Sequence, residues 1–138
     1  MKEKSLIYDT LTKAILPYIL LFGLYVQING EHSPGGGFQA SVIIASAIIA
    51  YDMIFDSMPI SYNQLIVSAA FGCLIYLAVG LIAIFVGDNY LNYYSLAQNK
   101  YTGQLIGIFI VELGVGITVC AVMLIIYSCL GKITSKEL

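Results

Sequence analysis

Residues 31–41 read EHSPGGGFQAS, three glycines in a row between two of the most apolar stretches of the chain. A glycine run can cradle phosphates, or it can turn the chain sharply at a membrane surface. A phosphate-binding P-loop needs GxxxxGK[ST] after a strand, and the dinucleotide fingerprint needs GxGxxG between a strand and a helix. No Lys follows these glycines, and no strand-like pattern precedes them. The spacing therefore argues against nucleotide binding and for a tight hairpin. Pro34 fixes φ, while Gly35, Gly36 and Gly37 either reach backbone angles closed to other residues or let another segment approach closely.

The composition on either side decides the class. The chain has 138 residues, 59% hydrophobic and 10% charged. So few charges cannot cover the surface of a soluble domain. The apolar residues fall in runs of about 20, enough for a helix to cross the ~30 Å hydrocarbon layer. The expected fold is one all-α integral membrane domain over residues 1–138. Its four transmembrane helices are expected near 6–28, 38–58, 64–86 and 103–130. Pro17 is tolerable in the first span, because neighbouring helices can satisfy the freed carbonyl. Asp9 and Lys13 sit in its first turns, spaced to pair, and Lys13 can also snorkel. Pro59 stops the second span, and SYNQ (Ser61–Gln64) reads as a capping box that opens the third. In GDNYLNYYSLAQNKYTG, Tyr90, Tyr93, Tyr94 and Tyr101 suit an interfacial belt, on a short surface helix. The basic, apolar N-terminus lacks a small-residue cleavage site and is expected to be retained.

Four spans put both termini on one side. Lys2, Lys4, Lys132 and Lys136 lie there, against Lys100 alone on the other. The positive-inside rule makes the termini cytoplasmic and the glycine hairpin external. With net charge −2 and no Arg, nothing resembles a nucleic-acid footprint. Cys73, Cys120 and Cys129 lie inside apolar runs without metal spacing and read as buried, inert thiols. No cofactor or metal is expected, and no nucleophile–base pair suggests an enzyme.

Ionisable groups inside hydrocarbon are costly, so each is a candidate for an ion pathway. Glu112 lies nearly mid-span, roughly 13 Å from Gly103 along the helix. Such a carboxylate can exchange a proton, because burial and neighbouring charge set the balance between its two forms. Alternatively it stays neutral and hydrogen-bonds a neighbouring helix for assembly. Gly103, Gly107, Gly114 and Thr118 form a small-residue stripe that invites close helix contact, about 150° around the helix from Glu112. Both faces then need protein, which suggests that another subunit sandwiches the fourth span. Ser41, Ala45, Asp52 and Asp56 share a stripe on the second span. Asp52 is either ion-accessible or a helix-end carboxylate in water, and Asp56 reads as the latter. His32 could titrate near neutral pH, or it is a solvated loop side chain.

LPYILLFGLYVQINGEHSPGGGFQASVIIASAIIAYDM (residues 16–53) resembles the MnhB/MrpB-type subunit of multisubunit sodium/proton antiporters. So does GIFIVELGVGITVCAVMLIIY (107–127), through its ELGVG segment. The two blocks cover about half the chain, in the family's order. Ala40-Ser41 stands where that family commonly has Gly. The resemblance implies a multi-pass subunit in the cell (inner or cytoplasmic) membrane, within a hetero-oligomer that exchanges protons for Na+. The chain would contribute assembly surface and an acidic station on the ion pathway. Two other readings stay open: an antiporter-like subunit of a redox-driven pump such as a membrane-bound hydrogenase, and a purely structural assembly subunit.

Overall fold

The computed structural model describes residues 2–30, 35–87, 89–93 and 100–134. They form four helices, α1 (Lys2–Ile28), α2 (Gly37–Phe55), α3 (Tyr62–Phe85) and α4 (Lys100–Thr134). Each is long and apolar enough to cross a membrane. At ~1.5 Å per residue, the 19 residues of α2 just match the hydrocarbon thickness, whereas the 35 of α4 overrun it.

The sequence places the end of α2 at Met58, but the helix ends at Phe55. Met58 precedes Pro59, which disfavours helical geometry there. Asp56 takes the left-handed conformation (φ 47°, ψ 38°) and its N–H closes back onto the Asp52 carbonyl. Asp tolerates that geometry better than most residues, so the stop comes early. At Ser61 the capping box forms: the Ser61 side chain accepts from the Gln64 N–H, and the Gln64 side chain accepts from the Ser61 N–H at 2.9 Å.

Space order departs from chain order. α1 packs on α2, α2 on α4 and α4 on α3, so α4 lies between α2 and α3. The interior is built from small residues: Ala40, Ala45, Ala47, Ala83 and Ala121 are buried, with Leu65, Val79 and Leu124 filling between. Large apolar side chains point outward, Phe85 being 87% exposed and Tyr18 72%. That is the reverse of a soluble core. It suits a solvent of lipid tails, where close backbone packing rather than apolar burial drives association.

Glycine sets each close approach. Gly72 of α3 meets Gly114 and Thr118 of α4, and a Cβ on Gly114 would fall 2.9 Å from the Gly72 carbonyl oxygen. The Thr118 hydroxyl donates to the Gly114 carbonyl at 2.9 Å, with the Ala69 carbonyl of α3 at 3.4 Å. On the other side, a Cβ on Gly23 of α1 would fall 2.8 Å from Ile44 Cγ1 of α2. Ala40 and Ser41 are fully enclosed at this end of α2, and the Ser41 hydroxyl bonds to the Phe38 carbonyl at 2.7 Å.

One sequence reading needs correction. The thiols are not all buried: Cys73 and Cys129 are exposed on the outside of their helices, and Cys120 is half-buried. The interior takes smaller or better-packing residues, and lipid tolerates a thiol. The tyrosines of the α3–α4 connector also pack on the helices. Tyr90 lies against Gly80 of α3 and Tyr93 against Gly107 of α4. Burial, then the neighbouring Tyr76 and Tyr90, push the Tyr93 phenol above its ordinary value. Tyr101 is exposed, and Tyr94 lies outside the described residues.

Candidate functional site

The glycine hairpin and Glu112 are 75 residues apart in sequence and touch in space. A Cβ added to Gly37 would run into the backbone carbonyl of Glu112. One on Gly36 would fall 3.3 Å from the Glu112 Oε1, and one on Gly30 2.6 Å from its Oε2. The described glycines of the hairpin therefore serve approach rather than phosphate. They cut a notch between the end of α1 and the start of α2, and α4 lays its carboxyl into it. Gly36 is extended (φ 162°, ψ −174°), so the backbone there is unstrained.

Glu112 also stands at the N-terminal end of α2. Gly36, the N-cap, offers no side chain to cap that end. The unsatisfied N–H groups and the positive end of the helix dipole favour a negative charge there. The Glu112 Oε2 is fully enclosed. The carboxyl thus lies against Gly30 and Gly36 and faces a helix N-terminus.

Gln27 is the neighbour that the sequence reading missed. It is a carboxamide near the end of an apolar run, 8% exposed, and its Oε1 lies 2.9 Å from where a Cβ on Gly116 would be. A polar side chain in a hydrophobic span was the signal available. Gln27 lines a groove of about 330 Å³ to which all four helices contribute, among them Leu24, Ser41, Ser68, Gly116 and Cys120.

The remaining predicted residues fall elsewhere. Asp52 is half-buried toward the opposite end of α2 and accepts a 3.0 Å hydrogen bond from the Tyr127 hydroxyl of α4. The sequence analysis had not named Tyr127. Asp56 is exposed at the helix stop. Asp9 and Lys13 form no ion pair among the described residues; the Lys13 ammonium lies 5.0 Å from the Phe55 ring centroid. His32 and Pro34 lie outside the described residues, and Phe38 is exposed. Among the described residues, no three His, Cys, Asp or Glu side chains cluster as metal ligands would.

The stripe on α4 divides. Gly114 and Thr118 receive α3, whereas Gly107 receives the ring of Tyr93 rather than a helix, and Gly103 is buried. The inference that α4 needs a second subunit to cover two faces is overturned. This chain's own α3 covers Gly114 and Thr118, its Tyr93 covers Gly107, and its own glycine hairpin and the start of α2 cover Glu112.

The stretch of chain that builds this notch falls within a match to known proteins. A family described as a domain related to the MnhB subunit of Na+/H+ antiporter matches residues 7–125. The chain is 30% identical to the B-type subunit of the Na(+)/H(+) antiporter of Alkalihalophilus pseudofirmus, across 86% of this chain and 92% of that protein. It is 33% identical to a putative antiporter subunit mnhB2 of Staphylococcus haemolyticus, across 95% and 97% of the two. A Staphylococcus aureus protein with the same description is 33% identical across 69% and 70%. Since the match runs from the first turns of α1, through the glycine notch and Glu112, into the last turns of α4, the chain belongs to the family of domains related to the MnhB subunit of Na+/H+ antiporters.

Proposed function

We propose that this protein is a membrane subunit of a multisubunit Na+/H+ antiporter, with Glu112 as an acidic station that takes up and releases protons. The family match over most of the chain carries the first part. The enclosure of the Glu112 carboxyl at the N-terminus of α2 supports the second. A residue needed only for assembly would be served by any packed side chain. A carboxyl presented to a helix N-terminus within the membrane instead has a use for its charge. Its partners are the other membrane subunits of the complex, and its place is the cell membrane. The excess of lysine at the chain ends orients both termini toward the cytoplasm. His32, next to the notch in sequence, is the second titratable candidate, and Asp52 is an anchor between α2 and α4.

The test is Na+-driven proton movement in everted vesicles that carry the whole antiporter. Glu112→Gln keeps size and hydrogen bonding but removes the charge. Antiport is expected to fall by about a hundredfold or more, the usual range for a group that moves a proton in the rate-determining step. Native electrophoresis of the same membranes should still show the assembled complex. Full antiport by an assembled Glu112→Gln complex would make Glu112 a packing residue.

A further inference from the structure

Gln27 carries an amide donor that, among the described residues, finds no hydrogen-bond partner at Nε2. The side chain is more than nine-tenths buried. Inside a membrane no water stands ready to satisfy such a group, so an idle donor is expensive there.

The register of the α1–α4 crossing indicates what the donor is for. Successive spans alternate in direction, so α1 and α4 run antiparallel. At one level Gly30, two residues past the end of α1, faces the Glu112 carboxyl of α4. One turn further into the membrane on both helices, Gln27 of α1 faces Gly116 of α4. Residues three or four apart share a helix face, with Cβ positions about 5–6 Å apart. Two polar side chains therefore reach into one seam from opposite sides, Gln27 against Gly116 within α4 and Glu112 against Gly30 just past α1. The amide turns its oxygen onto Gly116, which leaves its nitrogen for a second acceptor. In this register the acceptor one turn away is the enclosed Oε2 of Glu112.

We propose that Gln27 is the positioning residue of Glu112, its Nε2 donating to the carboxylate whenever Glu112 is ionised. This rests on the acidic-station reading above. The donor holds the negative charge at the seam and favours the ionised form over the protonated one. It cannot bind Na+ through that nitrogen, because an amide N–H presents positive charge. Against the carboxyl stand Gly30, just past α1, and Gly36, the N-cap of α2, with the Gln39 side chain near Gly36. None of these titrates, and α3 lies on the opposite side of α4. Glu31 and His32 lie outside the described residues.

The experiment reads the protonation of Glu112 itself. The full chain in lipid nanodiscs is titrated in the infrared region of the protonated carboxyl. The Glu112 band is identified by its loss in Glu112→Gln. Gln27→Met keeps the size but removes the donor, and the midpoint of that band is expected to rise by about one pH unit or more. Gln27→Leu, which repacks the site differently, is expected to do the same. Ser68→Ala, in the adjoining groove, is expected to leave the midpoint in place. An unmoved midpoint in both Gln27 variants would overturn the proposal. So would an equal shift in Ser68→Ala, which would report loosened packing. Transport is a separate readout: a Gln27-sensitive midpoint together with intact antiport in Glu112→Gln would sink the acidic station but leave the pairing standing.

Discussion

Glycine and carboxylate answer to each other at the notch, and the two glycines that look alike in sequence are expected to behave differently. A Cβ on Gly37 meets the Glu112 backbone, which cannot move without shifting α4. Gly37→Ala should therefore destabilise the fold, by about 1–3 kcal/mol if the helices part enough to relieve the overlap. A Cβ on Gly30 meets the far end of the Glu112 side chain at 2.6 Å and the Gly36 Cα at 3.0 Å, a looser backbone contact than the one at Gly37. Gly30→Ala should cost less than Gly37→Ala but displace the carboxyl. Thermal unfolding in detergent, followed by circular dichroism, separates the two. Equal losses would mean that the notch fixes the helices and not the carboxylate.

Among the elements, α2 is held at both ends by different means. At its start the hold is steric, Gly37 against α4; toward its end it is the hydrogen bond from Tyr127 to Asp52. Tyr127→Phe removes that donor with little change of shape and should cost roughly 0.5–1.5 kcal/mol. Combined with Asp52→Ala, the losses should fall short of additive, because both changes remove one interaction. A double-mutant cycle on the detergent-solubilised chain measures the difference. Strict additivity would show that the two residues act independently. The early stop of α2 could not be read from Pro59 alone. Proline fixes the residue before it, but where the helix ends upstream depends on whether Asp56 can take a left-handed backbone.

For the whole molecule, four helices in the order α1, α2, α4, α3 cover both faces of α4 without help, and they leave broad apolar surfaces for lipid and for other subunits. The first expectation concerns orientation. A single cysteine introduced at either terminus, in a chain whose own three are replaced, should react with an impermeant maleimide only in everted vesicles. Labelling in intact cells would reverse the topology inferred from the lysines.

The spans, the capping box at Ser61 and the family were legible in the sequence, because length, hydropathy and local hydrogen bonding act between residues close in the chain. The PGGGFQ and ELGVG segments were legible too, but only as separate signals. What the tertiary structure decided is that they are one site, with Gly37 laid on the Glu112 backbone. It also decided that α2 and α3 of this chain flank α4, that Tyr127 answers Asp52, and that the overlooked Gln27 sits against Gly116, one turn along α4 from Glu112. Helical periodicity states which residues share a face, but it is silent about the neighbour that face meets. In a membrane that choice falls to the fit between small residues on different helices, because lipid competes equally for every large apolar side chain.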